Sequence, residues 1–388
     1  MFKVSGLKPL LRTSASFRPQ HDIASRLPSE ILAKIFDLTL NVMDRSHYNP
    51  HHSLVPFATV NKWWSDIAHY LLYRSISVNS STYSTNVPGM LRQTLSADPQ
   101  IAARVIELRV AVDEDRRIQD FFALFDLCVN LKHVDIFGYQ LHSLQSCRRV
   151  LAQRNLISIH IRMDTCSSLK DPAFCSTGCL LEMMQGWPDL EKLHISHITS
   201  SAHTTHVRNN CCPRLKVIHM CEGEFSADLL LQLPRITQAV ERLHLRTAWV
   251  YEFPASSVFF AIRAWQNSLK WLHYAPKRRL DVHPSQHPHL PHLKYFETNS
   301  TGLPASYLRV VSPNVSTLRY MATLEDFHHV TTNLYDLTFL PSLALLYISP
   351  LPDWTSLSSH PKFPEDDVQS LETICVQRSI ELIFQFYP

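Results

Sequence analysis

One spaced pattern, apolar-x-x-apolar-x-apolar, recurs through most of the chain. It reads VIELRV at 105, LKHVDI at 131, LISIHI at 156, LEKLHI at 190, LKVIHM at 215 and VERLHL at 240. It continues as LKWLHY at 269, LKYFET at 293, VSTLRY at 315, LALLYI at 343 and LETICV at 371. Successive starts are separated by about 27 residues on average, a spacing that marks a repeat architecture. A six-residue strand cannot bury its apolar side alone, so such units gain a core only by stacking on one another.

Between these strands the chain reads as helix. RIQDFFALFDL (117–127), LHSLQSCRRVLAQ (141–153), CLLEMMQGW (179–187), ADLLLQL (227–233) and SVFFAIRAWQ (257–266) carry apolar residues at helical spacing. Pro188, Pro213, Pro234, Pro291, Pro313 and Pro341 fall ahead of the next strand, where a helix must stop. Strand, turn, helix and turn, repeated in one direction, predict a parallel sheet with helices outside it. A conventional α/β domain would need glycine-rich turns and long, fully apolar strands. This chain has only 7 glycines and no G-x-G, which also excludes dinucleotide and phosphate loops. The expected fold class is therefore an α/β solenoid of about 11 repeats over residues 79–388, led by a strand at YRSISV (73). The tail ELIFQFYP (381–388) is expected to cover the open end of the last repeat.

Within each hexapeptide the first, fourth and sixth positions face the core, and the third and fifth face solvent on the inner side of the sheet. The fifth position reads Arg109, Asp135, His160, His194, His219, His244, His273, Glu297, Arg319, Tyr347 and Cys375. Five successive strands thus place a histidine there. Strands lie about 4.8 Å apart, so the rings are predicted to form a column across the sheet. The third position adds Lys192, Arg242, Trp271 and Tyr295. Aromatic and arginine side chains are typical binding anchors. The candidate target-binding residues are His160, His194, His219, His244, His273, Arg242, Trp271, Tyr295 and Arg319. Stacked neutral imidazoles that merely suit a crowded sheet are the plain alternative for the column. A metal is disfavoured, because a flat column seldom converges four ligands on one ion.

The N-terminal part has a different character. Residues 1–20 carry Lys3, Lys8, Arg12 and Arg18 and no acid, and read as a disordered basic tail. RLPSEILAKIFDLTL (26–40) then sets Ile31, Leu32, Ile35 and Phe36 on one stripe. After a polar loop over 41–52, Ser53 is positioned to cap a short helix. Asn61 is positioned to cap KWWSDIAHYLL, in which Trp64, Ile67, Ala68 and Leu71 share a face.

Leu27-Pro28-Ser29-Glu30-Ile31-Leu32, then Ile35-Phe36, Val60-Asn61-Lys62-Trp63-Trp64, Ile67-Ala68 and Tyr73-Arg74-Ser75-Ile76 resemble the F-box, over roughly residues 26–78. The repeats behind them resemble the irregular leucine-rich repeats that often follow an F-box. The resemblance implies a three-helix F-box over 21–78 and a leucine-rich-repeat horseshoe with a concave parallel sheet. It implies a Skp1-type adaptor as partner and, through it, a cullin, with Leu27, Pro28, Ile31, Leu32, Ile35, Phe36, Val60 and Trp64 at the adaptor or supporting that surface. It further implies the substrate-recognition subunit of an SCF-type E3 ubiquitin ligase, holding an unknown protein substrate on the concave face, in cytoplasm and/or nucleus. Two departures stand out. The loop after the first helix is longer than the compact pattern, and Asn61 stands where Cys is frequent. The regular Asn ladder of leucine-rich repeats is also missing, so the turns must be held differently.

Other classes are carried as alternatives. One is a non-catalytic interaction scaffold without a ubiquitination role. Another is a His-rich pH- or metal-responsive binding protein. Cys175, Cys179, His203, His206, Cys211 and Cys212 form a loose zinc pattern, but the spacing fits buried thiols better. The nine cysteines are an odd count with no secretory signal ahead of them, which suits a reduced protein. There is no G-x-S-x-G, H-E-x-x-H or Walker sequence, so no catalytic residue and no cofactor is expected. The formal charge of +3 gives little pull towards nucleic acid, and no run of 18 apolar residues could form a membrane helix.

Overall fold

A computed structural model of the chain describes residues 27–43, 54–79, 87–112, 118–138, 145–163, 175–196, 198–199, 206–223, 226–247, 255–276, 288–351 and 362–385. The basic tail expected over 1–20, the cap expected at Ser53 and the candidate ligand His203 lie outside the described residues. The chain divides into two compact units, Met1–Arg74 and Ser75–Pro388.

The first unit contains α1 (Ser29–Met43), α2 (Val55–Ala58) and α3 (Lys62–Arg74). Pro28 stands just ahead of α1. Its carbonyl accepts hydrogen bonds from the Ile31 and Leu32 amides at 3.1 Å, while the ring has no amide to leave unpaired. The helix runs three residues past the expected end at Leu40. Asn61 caps α3 as its sequence position predicts: its Oδ1 accepts from the Trp64 amide at 2.9 Å. Leu32, Phe36, Leu54, Ala68 and Leu71 form the core, with Leu27, Phe57, Trp64 and Ile67 packed against it. The Phe36 ring stacks on Phe57 at 4.7 Å and meets the edge of Trp64 at 5.5 Å.

The second unit is α/β. Its strands are β1 (Ser75–Asn79), β2 (Glu107–Val112), β3 (His133–Gly138), β4 (Ser158–Met163), β5 (Cys175–Ser176), β6 (Lys192–Ser196) and β7 (Ile198–Thr199). They continue with β8 (Val217–Gly223), β9 (Arg242–Thr247), β10 (Trp271–Tyr274), β11 (Tyr295–Asn299), β12 (Thr317–Ala322), β13 (Leu345–Pro350) and β14 (Glu381–Phe384). Strands β5 and β7 pair with each other; the other twelve form one sheet in chain order. Every neighbouring pair in that sheet is parallel. YRSISV supplies β1, the leading strand.

The register is the one the hexapeptides predict: Leu193 pairs with Ile218 and Ile159, and Leu243 with Ile218 and Leu272. The fourth and sixth positions are buried from Leu108 and Val110 to Leu346 and Ile348. Helices lie between the strands at Ile118–Leu127, Gln145–Ala152, Thr177–Met184, Ala227–Ile236 and Ala255–Ala264. The fourth of these runs two residues past Pro234, which sits in its last turn.

In place of an Asn ladder, side chains reach the carbonyls of the neighbouring coil. Trp187 Nε1 donates to the Leu151 carbonyl at 2.8 Å, and Trp265 Nε1 to that of Thr237 at 2.9 Å. Asn299 donates to the Pro276 carbonyl at 2.7 Å, and its Oδ1 accepts from the Gly302 amide at 2.8 Å. A Cβ on Gly186 would run into the Ala152 carbonyl, so a glycine is needed where these coils touch.

The eleventh hexapeptide is not a strand. LETICV lies inside the helix Glu365–Gln377, and the twelfth strand of the main sheet is β14. Glu365, Asp366 and Asp367 occupy the first turn, where a helix dipole favours acids, and Leu371, Ile374 and Cys375 then bury one helical face. The spacing i, i+3 that opens the strand pattern also fits a helix, and nothing in six residues separates the two. Cys375 therefore leaves the fifth-position row. The tail segment ELIF lies along the edge of β13, pairing with it as β14.

This correction is testable by urea unfolding. Val376 would be core in a strand, yet it is 79% exposed on the helix. Val376→Lys should change stability by no more than about 0.5 kcal/mol. Leu346→Ala, at a fully buried fourth position, should cost about 2–5 kcal/mol.

Candidate functional site

One face of the large sheet is formed by the third, fifth and seventh positions of the repeats. Successive fifth positions pair directly: Asp135 with His160, His160 with His194, His194 with His219, His219 with His244, His244 with His273, His273 with Glu297 and Glu297 with Arg319. The five imidazoles stack, with ring centroids 3.7, 3.7, 3.8 and 3.9 Å apart in that order. This separation is shorter than the spacing of about 4.8 Å between neighbouring strands.

Both ends of the row are closed by a carboxylate. His160 Nδ1 is 3.5 Å from Asp135 Oδ1, and His273 Nδ1 is 3.2 Å from Glu297 Oε2. Asp135 also meets Arg162 at 3.3 Å. Glu297 accepts from the Tyr295 hydroxyl at 2.8 Å and meets Arg319 at 3.5 Å. Burial alone would raise the Glu297 pKa; the His273 bond and charge, the Tyr295 hydroxyl and Arg319 together pull it below the usual range. Arg319 is held in turn by Gln385 Oε1 at 3.0 Å and lies 5.2 Å from the Tyr347 ring.

The middle of the row is held neutral. Burial, then the neighbouring imidazoles, push the pKa of His194 down to about 2, of His219 to about 4 and of His244 to about 2. His160 is also lowered by burial, against the opposing pull of Asp135. These central rings do not become cationic near pH 6.5, so they do not supply the acid-dependent positive surface that a histidine-rich face suggests. They present a ribbon of neutral aromatic edges.

Beside the row, Trp271 and Tyr295 stack at 4.9 Å with their planes 8° apart, and Trp271 also lies 5.8 Å from His244. Both are half-buried, whereas Arg242, paired in register with Trp271, is exposed. All nine candidate target-binding residues thus stand on one face.

The structure treats the expected adaptor residues unevenly. Leu32 and Phe36 are at 0% exposure and belong to the core, so they support a surface and do not form it. Ile31 at 48% and Ile35 at 42%, with Val60 and Trp63, are exposed. Pro28 is exposed and Leu27 and Trp64 half-buried.

The loose zinc pattern separates. Cys175 and Cys212 are buried, Cys179 Sγ takes a 3.2 Å contact from Arg148, and His206 is exposed. Among the described residues these side chains do not form a ligand group; the group that does is His219, Cys221 and His244. Sequence reasoning missed Cys221, and missed Asp135 and Glu297 as end caps. The acids were visible in the fifth-position row, directly flanking the histidines. A scan against protein-family models and a search of curated proteins return no match.

The depressed histidine pKa values carry a sign. Above about pH 6.5 the rings are neutral in both folded and unfolded chains. Below it the unfolded chain takes up protons that the folded chain refuses, so stability falls with pH until the folded values are reached. The melting temperature in metal-free buffer should therefore drop between about pH 6.5 and 4.5. His194→Gln combined with His244→Gln should flatten that slope.

Proposed function

We propose that this chain is the target-recognition subunit of an SCF-type ubiquitin ligase. The N-terminal helices hold a Skp1-type adaptor, and the adaptor brings a cullin. The histidine-bearing face of the sheet holds a protein target, and a separate enzyme transfers ubiquitin. In this reading the chain acts by proximity, in cytoplasm or nucleus, and needs no catalytic residue.

One observation carries the reading. A small helical unit with its own core leaves Ile31, Ile35, Val60 and Trp63 exposed, and in the sequence it precedes a parallel sheet of stacked repeats. A module of this size has no evident structural need for so many apolar side chains in water, whereas a docking surface does. The F-box resemblance identifies that surface, and the leucine-rich-repeat resemblance assigns the sheet its receptor role. Trp271, Tyr295 and Arg242 supply the anchor chemistry on that sheet, and the neutral imidazole row supplies flat edges against which a peptide can lie.

Full burial of one isoleucine contributes about 1.5–3 kcal/mol, and each 1.4 kcal/mol is about tenfold in affinity. Ile31→Asp with Ile35→Asp should therefore lower adaptor co-purification by tenfold or more while helix content stays constant. Leu27→Ala with Pro28→Ala should weaken it as well. Wild-type recovery of the adaptor by both variants would overturn the assignment. Recovery of cullin through the adaptor separates a ligase subunit from a scaffold. Proteins retained equally by wild type and the Ile31/Ile35 variant, and lost on Trp271→Ala, are the expected targets.

A further inference from the structure

Within the sheet, His219 and His244 pair directly in the middle of the histidine row. Among the described residues, the ring nitrogens Nε2 of His219 and His244, like that of His160, are buried and have no hydrogen-bond partner. Such orphaned polar atoms are uncommon in folded proteins, and an ion or water is a frequent reason for them. Among the described residues neither ring meets a carboxylate, unlike His160 and His273 at the two ends.

Cys221 stands beside this pair. It follows His219 by two residues on β8, so it projects from the same face of the sheet. It is half-buried and its thiol is not in a disulfide. The ligand atoms of His219, Cys221 and His244 all lie within 4.8 Å of one another. Immediately after Cys221 the β8–β9 register shifts, so that Cys221 pairs with Arg246 while Gly223 pairs with Thr247. Cys221 itself keeps the regular register and stands at the seventh position, so it adds beside the fifth-position row a donor that the imidazoles alone lack.

We propose that His219, Cys221 and His244 form a binding site for a zinc-class divalent ion, with the fourth position open to water or to a side chain of the bound target. One thiolate with two imidazoles is a tetrahedral zinc donor set, and the absence of a carboxylate from the trio disfavours calcium and magnesium. Bond lengths of about 2.0–2.3 Å place tetrahedral donors about 3.3–3.8 Å apart. The donors therefore have to draw together by about an ångström as the ion binds. The thiol releases its proton to solvent as the ion binds, and no electron is transferred. The site uses the sheet face alone. It stands or falls independently of the adaptor assignment, since none of its donors belongs to the N-terminal helices.

Cobalt(II) and zinc(II) added to the full, chelator-treated chain test this. Cobalt should bind at one equivalent, with a thiolate-to-metal charge-transfer band and the strong visible absorption of a tetrahedral centre. Zinc should displace it. Cys221→Ser should abolish the charge-transfer band, and His219→Ala or His244→Gln should weaken zinc binding tenfold or more. Cys179→Ser should bind as wild type does. X-ray absorption on the wild-type zinc complex needs no variant, and should show one sulfur and two imidazoles. The proposal is overturned if the full chain binds no stoichiometric ion. It is equally overturned if the band survives Cys221→Ser or is lost in Cys179→Ser, or if absorption shows no sulfur or more than one.

Discussion

The second unit depends on how one strand hands its hydrogen bonds to the next. At the start of almost every strand, a carbonyl of the preceding coil accepts two successive amides: Lys132 from Ile157 and Ser158, Glu191 from Lys216 and Val217, Glu241 from Lys270 and Trp271, Lys294 from Ser316 and Thr317. No coil meets its own backbone needs at this point. Each is completed by its neighbour, and the same step buries the fourth and sixth side chains of both. Stability is then distributed along the stack, with β1 and β14 at its two edges among the described residues.

Direct register has a chemical consequence on the other face. When every strand starts in step, like positions meet like positions, so any residue type repeated at the fifth position meets copies of itself. A column of lysines or glutamates there would repel strongly. Imidazole is one of few polar side chains that tolerates the arrangement, because it can give up its charge. Burial and mutual repulsion keep the central rings neutral, and Asp135 and Glu297 stand where the row ends. The row is thus a self-consistent structural device, with flat, uncharged central rings.

The N-terminal unit follows a different rule. Among the described residues its core is small, formed by Leu32, Phe36, Leu54, Ala68 and Leu71. A helical stripe of four apolar residues on α1 cannot all reach so narrow a core. Leu32 and Phe36 turn inward, and Ile31 and Ile35 stay at the surface, one helical position away from each. The sequence places all four on one broad stripe; only packing divides them into support and surface.

Much of the second unit was legible in the chain because period-2 alternation within a strand and a recurring spacing between strands are local and repeated. The ten hexapeptides from 105 to 343, their inward and outward positions and the histidine column follow from that repetition alone. Where the repetition stopped, the reading failed. LETICV satisfies both a strand and a helix pattern, and its fate was set by the acids ahead of it and by the core that Leu371, Ile374 and Cys375 entered. Cys221 lay outside the six-residue window, and its approach to His244 joins two neighbouring strands, which no single strand encodes. Amino-acid order therefore decided which side chains share a face, since that needs only alternation. Which of them touch, lose their charge or converge on one point was decided by strand-to-strand packing, because distance, burial and local dielectric are properties of neighbours brought together from far along the chain.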